Sequence, residues 1–281
     1  MRKIPAYKIT ETVEKLLIDA CVNLPEDVKN ALVSARANEQ EDSPKKILDC
    51  LIENAYIASE KSIPICQDTG ITTVFIEIGN DVLIEDGSLY DAVQQGIRQG
   101  SEKGYLRKSI VSDPLERKNT GDNTPGIIYV FPVAGEQIKI TVVPKGGGCE
   151  NMSKSIMLKP ADGKAGVKKF ILETVFGSGG NACPPLVIGV GIGGDFSYAP
   201  LLAKKALIRK IGERNGEEFY AELERELLEE INQKGQGAQA LGGKTTALDV
   251  FIETAPCHIA SLPVSVCINC HAARHKSSVI I

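Results

Sequence analysis

Hydrophobic residues recur at helical spacing through the first part of the chain. Over residues 9–24 they are three or four positions apart, and similar stretches follow until about residue 60. Cys21 and Cys50 lie among the apolar positions of the first and third stretches. The pattern predicts a helical section over residues 1–60, in which both cysteines are core residues.

From Ile63 onwards, short β-rich runs alternate with helical stretches. The pattern predicts strands over residues 72–78, 127–133, 138–143, 186–190, 248–252 and 279–281. It predicts helices over residues 88–103, 163–176, 199–211 and 217–231. We expect the second and third strands to be adjacent, because a short turn that contains Gly135 joins them. Since no internal repeat or linker interrupts the chain, we predict one α/β domain, 1–281, in which the helical section packs on a mixed α/β unit.

Composition and charge exclude several classes of protein. The 281 residues are 43% hydrophobic and 24% charged, which is typical of a globular protein with a sizeable core. The net charge of −4 argues against nucleic-acid binding, which usually requires a basic patch. No apolar run approaches the roughly 18 residues of a membrane span, and the charged start lacks the apolar stretch of a signal peptide. Eight cysteines without an export signal indicate thiols or metal ligands in the reducing cytoplasm.

Three cysteines lie in turn-forming sequences outside the helical stretches. Cys66 is in Pro-Ile-Cys-Gln-Asp-Thr-Gly, Cys183 is in Asn-Ala-Cys-Pro-Pro and Cys270 is in Asn-Cys-His-Ala-Ala-Arg. Thiolates that converge from distant parts of a chain suggest a metal or iron–sulfur site. In a four-iron cluster with three cysteine ligands, one iron would be free to bind substrate.

The spacing of Cys267 and Cys270 permits two other interpretations. One is a zinc site that includes His271 or His275, but structural zinc usually has four closed ligands in two pairs, and only one C-x-x-C is present. The other is a redox C-x-x-C, but no thioredoxin-like pattern surrounds it. The sequence therefore favours an iron–sulfur site over zinc.

Two glycine-rich segments follow predicted strands. In the first, Lys145 precedes Gly146, Gly147 and Gly148, whose backbone N–H groups could form an anion-binding nest. The alternative is a turn without a ligand. The second segment, residues 189–194, matches G-x-G-x-x-G, but a dinucleotide site also needs a second strand that ends in an acidic residue about 20 positions on. The stretches that follow are helical, so we exclude that function.

Four motifs together resemble those of class I iron–sulfur fumarate hydratases. In chain order they are Cys-Gln-Asp-Thr-Gly, Lys-Gly-Gly-Gly, Ala-Cys-Pro-Pro and Cys-x-Ala-x-Arg. The resemblance extends from about Cys66 to His275, and the helical section fits it as well. The length resembles that of the alpha subunit of the two-subunit form, and no segment corresponds to the C-terminal domain of the fused form. The alpha subunit of L-tartrate dehydratase shares most of these motifs.

The resemblance implies a [4Fe–4S] cluster that is held by Cys66, Cys183 and Cys270. We prefer Cys270 to Cys267 because the matching motif is Cys-x-Ala-x-Arg, and Cys267 stays as the alternative third ligand. The iron without a cysteine would act as a Lewis acid on the hydroxyl group that leaves the substrate, because free hydroxide is a poor leaving group.

The resemblance also implies five substrate-binding residues, of which Asp68 and His258 are catalytic. Gln67 donates to a substrate carboxylate, Asp68 orients a catalytic group or iron-bound water, and Arg107 binds a carboxylate in a bidentate manner. The backbone of Gly148 and the side chain of His258 contact the substrate. From the residues alone, Asp68 could simply cap a turn and Arg107 could be a surface arginine, so these roles rest on the resemblance.

These expectations combine into one hypothesis about function. The chain would be the alpha subunit of a hydro-lyase of the tricarboxylic acid cycle that interconverts (S)-malate with fumarate and water. A beta subunit would supply the catalytic base and further carboxylate-binding groups, in a heterodimer that pairs into a heterotetramer, and the chain alone would be inactive. Two alternatives stay open: L-tartrate as the substrate, and a non-catalytic iron–sulfur scaffold, although electron-transfer centres more often have four cysteine ligands.

Overall fold

The computed structural model describes all 281 residues and has the predicted α/β composition. The helices are α1 (Ala6–Val22), α2 (Glu26–Asn38), α3 (Asp42–Lys61), α4 (Leu89–Lys103), α5 (Gly147–Glu150), α6 (Gly163–Ser178), α7 (Tyr198–Ala206) and α8 (Glu218–Lys234). The strands are β1 (Arg2–Pro5), β2 (Ile71–Gly79), β3 (Val82–Glu85), β4 (Ile127–Val133), β5 (Ile138–Lys145), β6 (Lys154–Leu158), β7 (Leu186–Gly194), β8 (Ala247–Cys257), β9 (Leu262–Asn269) and β10 (Lys276–Ile280). None of the helices combines the length and hydrophobicity that crossing a membrane requires.

The chain divides into two compact units. The first unit consists of Met1–Pro25, Asn54–Gly147 and Arg274–Ile281, and the second consists of Glu26–Glu53 and Gly148–Ala273. The predicted helical section is therefore shared, because α1 belongs to the first unit, α2 to the second, and α3 runs from the second into the first. The single-domain organisation stays a prediction.

The first unit is built around a four-stranded sheet in the order β10-β5-β2-β4. Helix α1 packs on β5 and β10 and against α4, so that Ile9 and Val13 of α1 share a core with Ile76 of β2 and Ile97 of α4. All four side chains are fully buried, and the helical apolar spacing places Ile9, Val13 and Ile97 on the core-facing sides of their helices. Helix α4 begins where the hydroxyl of Ser88 accepts a hydrogen bond from the Asp91 N–H at 3.0 Å.

Strands β4 and β5 are not adjacent, and the expectation that they pair was wrong. Strand β2 lies between them, parallel to β4 and antiparallel to β5. The turn that joins them crosses the end of β2, where the Gly79 N–H donates to the Gln137 carbonyl at 2.9 Å. A Cβ atom at Gly79 would overlap the carbonyl of Gly135, so the crossing requires glycine at this strand end.

The second unit contains a four-stranded sheet in the order β6-β9-β7-β8. Helix α7 packs on β7, and helix α8 packs on β8. Side chains alternate across β7, so Ile188 and Val190 face a core that includes Ile171 of α6 and Leu227 of α8. The glycines between them face α7. The two helical layers therefore cover opposite faces of this sheet.

The G-x-G-x-x-G sequence has a packing role in the second unit. A Cβ atom at Gly189 would overlap the carbonyl oxygen of Ala203, and one at Gly191 would overlap that of Ala199. Both carbonyls belong to α7, which lies too close to β7 for any side chain to fit between them. The absence of side chains at these positions is thus explained by contact between helix and strand.

Replacing Gly191 with alanine is expected to lower the free energy of unfolding by at least about 1–3 kcal/mol, because an added methyl group must displace α7 from the sheet. Thermal unfolding followed by circular dichroism measures this change. Gly216→Ala is the matched control, because no atom lies within 4 Å of an added Cβ there. Equal midpoints for the two variants would contradict the packing role.

Four strands were not found from the sequence, and the prediction that Cys50 is a core residue was wrong. Strands β1, β3, β6 and β9 were not predicted, and β9 includes Cys267. Cys21 is fully buried as expected, but Cys50 is exposed. The buried positions of α3 include Leu48, Ala55 and Ala58, and residue 50 falls outside that stripe.

Candidate active site

Cys66 lies in a turn of the first unit that connects α3 to β2, and its side chain is half-buried. The Asp68 N–H points at the Cys66 sulfur, with 3.4 Å between nitrogen and Sγ. The Asp68 Oδ1 atom accepts from the Gly70 N–H at 3.0 Å, which closes the turn. Upstream, the Ile65 N–H donates to the Cys21 carbonyl at 2.9 Å. The turn therefore holds the thiol in a defined position between two structural elements.

The glycine loop at the end of β5 lies directly against the Cys66 turn. Gly70 has a φ of +70°, and a Cβ atom there would overlap the carbonyl of Lys145. A Cβ atom at Gly146 would lie 2.9 Å from Oδ2 of Asp68. Glycine at both positions thus allows the Asp68 carboxylate to approach the backbone of this loop.

Arg107 is attached to the same turn through its backbone. The Thr69 hydroxyl donates to the Arg107 carbonyl at 2.6 Å, and the Asn123 amide donates to the same oxygen at 3.0 Å. The Asn123 Oδ1 atom accepts from the Ser109 N–H at 2.7 Å. Sequence reasoning missed Asn123, although the Asn-Thr-Pro turn that contains it was a visible signal. The side chain of Arg107 is exposed, as is that of Gln67, so both can reach a ligand from solvent.

Arg274 belongs to the first unit and is 3% exposed. Its Nη2 atom donates to the Asp68 carbonyl at 2.7 Å, whereas Nε and Nη1 have no hydrogen-bond partner. Burial raises the pKa of the nearby Cys21 thiol, the positive charge of Arg274 opposes this rise, and Cys66 adds to it. The guanidinium group thus places positive charge beside the Cys66 turn.

In the second unit, the loops of Cys183 and Cys270 contact each other. Cys183 is exposed and follows a short 3-10 turn. The φ of Cys183 itself is +53°, in the left-handed region. Cys270 is half-buried in the loop after β9. The next residue, His271, has its backbone nitrogen 3.4 Å and its Nδ1 atom 3.0 Å from the Cys183 carbonyl oxygen. The loops that carry two of the three predicted cluster ligands are therefore in contact.

Gln239 reinforces the contact between these two loops. Its backbone N–H and its side-chain Nε2 both donate to the Pro184 carbonyl, at 2.9 and 2.7 Å. Nε2 also lies 3.4 Å from Nδ1 of His271. Sequence reasoning found no role for Gln239, because its partners are distant in the chain.

The loop that carries Gln239 is anchored by a buried carboxylate of the same unit. The Lys244 N–H donates to Oε2 of Glu39 at 2.7 Å. Burial acts to raise the pKa of Glu39, but hydrogen bonds from the backbone N–H groups of Lys244, Gln40 and Glu41 outweigh it and lower the pKa. Glu39, which the sequence did not single out, therefore anchors this loop in its ionised form.

The remaining cysteines of the second unit occupy different environments. Cys267 lies within β9, is 3% exposed and has the Ser153 hydroxyl 3.8 Å from its sulfur. Cys149 is also buried, with its sulfur 3.8 Å from Oδ1 of Asn269. Cys257 is exposed at the end of β8. The core position of Cys267 supports Cys270, in its loop, as the third ligand.

Two predicted substrate contacts lie elsewhere in the second unit. His258 is exposed in the hairpin between β8 and β9, and its Nδ1 atom accepts from the Ala260 N–H at 3.1 Å. Its hydrogen bonds stay within that hairpin and do not join it to the cysteine loops. Gly148 is exposed, and a Cβ atom there would lie 3.5 Å from the carbonyl oxygen of Asn181, two residues before Cys183.

Neither unit by itself gathers three His, Cys, Asp or Glu side chains at the spacing of a single metal ion. A four-iron cluster makes a different demand, because each cysteine sulfur binds a different iron atom. The predicted set of three ligands and the roles of Gln67, Asp68 and His258 therefore stay predictions.

Comparison with known proteins gives consistent results. A family model described as fumarate hydratase (Fumerase) matches residues 10–279. A protein of Methanocaldococcus jannaschii, named putative L(+)-tartrate dehydratase subunit alpha, is 48% identical over 273 residues, which are 95% of each chain. The L(+)-tartrate dehydratase subunit alpha of Escherichia coli strain UTI89 is 33% identical over 95% of this chain and 89% of its own. That of Escherichia coli strain K12 is 32% identical over 97% and 91%.

Proposed function

Because the chain belongs to the fumarate hydratase (Fumerase) family, we propose that it is the alpha subunit of a hydro-lyase that acts on a small dicarboxylate. The observation that carries this proposal is the grouping in the first unit. There the Cys66 turn contacts both the glycine loop and the backbone of Arg107. A thiol, a carboxylate and a guanidinium group are thus held on neighbouring segments, which suits a negatively charged substrate.

We infer that the reaction interconverts (S)-malate with fumarate and water. The description of the family model supports this substrate. L(+)-tartrate is supported equally well, because the relatives from Methanocaldococcus jannaschii and Escherichia coli carry that name. Both are four-carbon dicarboxylates, and tartrate has one additional hydroxyl group. The same carboxylate-binding residues therefore suit either substrate.

The residues present fit a [4Fe–4S] cluster held by Cys66, Cys183 and Cys270. All three lie in loops and none is a fully buried core residue, so a thiolate can be presented to a bound group. The buried guanidinium of Arg274, with two nitrogen atoms that lack a partner, fits a nearby anionic sulfur centre. When bound, the cluster supplies a Lewis-acidic iron for the hydroxyl group that leaves.

The side chains of the first unit then bind and orient the substrate. Arg107 pairs with one carboxylate, where its planar guanidinium can donate two parallel hydrogen bonds. Gln67 donates its amide N–H to a substrate carboxylate. Asp68 is held in orientation by the Gly70 N–H and accepts a hydrogen bond from a catalytic group.

Two further residues, Gly148 and His258, contact the substrate in this proposal. The backbone of Gly148, an exposed residue, contacts it, and His258 acts as a catalytic group on the substrate side.

A beta subunit completes the proposed enzyme. The relatives from Methanocaldococcus jannaschii and Escherichia coli are named as alpha subunits, which implies a partner of another kind. We propose that this partner supplies the catalytic base and additional groups that bind carboxylates, and that two heterodimers form a heterotetramer. The chain by itself is then inactive.

Co-expression with the beta subunit tests this proposal. The two chains, reconstituted with iron and sulfide without oxygen, are expected to convert malate to fumarate, which is followed by ultraviolet absorbance. Either chain alone is expected to give no product. Turnover of tartrate but not of malate would retain the reaction and change the substrate. Two chains that bind the cluster and turn over neither acid would refute the proposed function.

A further inference from the structure

Arg274 is buried without enough hydrogen-bond acceptors. Its side chain is 3% exposed, and one of its three nitrogen atoms, Nη2, donates to the Asp68 carbonyl at 2.7 Å. Nε and Nη1 are also buried, and neither has an acceptor within the protein. Guanidinium N–H groups that lack acceptors in a protein interior are destabilising, and burial of a charge without a counter-charge adds to that cost. This arrangement points to an anionic acceptor at this position.

The single bond that Arg274 does make ties it to the Cys66 turn. Its acceptor, the carbonyl of Asp68, belongs to the residue whose N–H points at the Cys66 sulfur at 3.4 Å. Along the chain, Arg274 follows Cys270 by four residues. The guanidinium group is therefore bonded to the turn of one proposed ligand and lies on the segment of another.

We propose that Arg274 is a positioning residue of the cluster site, in which Nε and Nη1 donate to anionic sulfur while Nη2 holds the Cys66 turn. The acceptor is a thiolate or sulfide of the bound cluster, and the inference rests on the proposed function to that extent. Hydrogen bonds to sulfur and nearby positive charge are two of the factors that set the reduction potential of such clusters. Outer contacts of this kind also orient the ligands and slow the loss of metal.

Two variants, Arg274→Lys and Arg274→Gln, test this inference on the reconstituted complex without substrate. The rate of iron release to a chelator is expected to rise about 10–100-fold in Arg274→Gln, the range typical when an outer contact of a metal site is removed. The reduction potential is expected to become more negative in Arg274→Gln. The positive charge of Arg274 stabilises the reduced cluster more than the oxidised cluster, because the reduced cluster is more negative. Arg274→Lys retains the charge but not the planar donors, so we expect intermediate values.

Arg209→Lys is the matched control. Arg209 is also largely buried, donates to the Ile252 carbonyl at 3.3 Å and pairs with Glu224, and neither partner belongs to a cysteine loop. This variant is expected to lower the unfolding temperature and to leave iron release in the folded protein unchanged. The unfolding temperature of every cluster-free variant shows whether it folds, and Arg274→Lys decides the matter if Arg274→Gln does not fold.

Three results would overturn the inference in distinguishable ways. Iron-release rates within twofold of the wild type, together with reduction potentials equal to the wild type within error, would show that Arg274 is only structural. An unchanged cluster together with a higher KM for the dicarboxylate would make a substrate carboxylate the acceptor instead. A wild-type complex that binds no iron would refute the cluster, and with it the proposed function as well as this inference.

Discussion

Serine in place of Cys66, Cys183 or Cys270 is expected to abolish stable cluster binding and to reduce kcat/KM by more than about 100-fold, since the loss of an outer contact alone costs 10–100-fold. A serine hydroxyl is a poor ligand for iron in comparison with a thiolate. Two of these residues are held by backbone contacts: the Asp68 N–H points at the Cys66 sulfur, and the Cys183 carbonyl contacts His271. Iron and sulfide content, together with visible absorbance of the reconstituted complex, measure the effect.

Three other cysteines provide the controls for this series. Cys50→Ser and Cys257→Ser change exposed thiols outside the proposed ligand set and are expected to retain full iron content. Cys267→Ser separates the two candidates for the third ligand. If it loses iron while Cys270→Ser does not, Cys267 is the ligand and the assignment of Cys270 is wrong.

Replacement of Glu224 by alanine is expected to lower the free energy of unfolding by about 3–5 kcal/mol, because it leaves buried positive charge without a partner. Glu224 is fully buried in α8. Its Oε1 atom accepts from Nη1 of Arg209 at 2.7 Å and from the Ile252 N–H at 2.8 Å. Its Oε2 atom accepts from the Asn215 N–H at 2.9 Å. One carboxylate thus attaches the segment between α7 and α8 to strand β8.

The unfolding temperature is the measurement for this variant. A decrease of about 6–20 °C is expected, since 1 kcal/mol corresponds to roughly 2–4 °C in chains of about this size. Glu226→Gln is the matched control on the same helix, because Glu226 is exposed and pairs with Lys164 and Lys168 at the surface. We expect it to change the unfolding temperature little. Equal decreases in the two variants would show that the buried network does not stabilise the fold.

Elements with a strong local period could mostly be predicted from the sequence. Helices α1 and α4 were found because their apolar residues follow the helical repeat over four turns or more. Strand β9 was missed although Val264, Val266 and Ile268 alternate with Ser265 and Asn269, because the spacing of Cys267 and Cys270 was interpreted as a possible metal or redox motif. The pairing of β4 was predicted wrongly because a short turn indicates a hairpin, and nothing local shows that β2 lies between the two strands.

The residues of the candidate site also divide into those that the sequence could predict and those that it could not. The motifs identified Cys66, Cys183 and Cys270, because a ligand and its flanking turn residues are close in sequence. The residues that hold these loops are far away in sequence: the bond from Arg274 to Asp68 spans 206 residues, and that from Gln239 to Pro184 spans 55. Such contacts depend on the whole fold, which local patterns do not determine.

The division of the chain into interleaved units sets the order in which the protein can be completed during synthesis. Strand β10 leaves the ribosome after strands β1 to β9, yet it pairs with β5 and forms one edge of the first unit. Cys270 and Arg274 emerge only shortly before it. Neither unit corresponds to a continuous piece of the chain, so neither can be finished while the other is still untranslated. Completion of the two units during synthesis therefore waits for the short stretch that carries the third proposed ligand, and a nascent chain could not retain a cluster before that stretch is available.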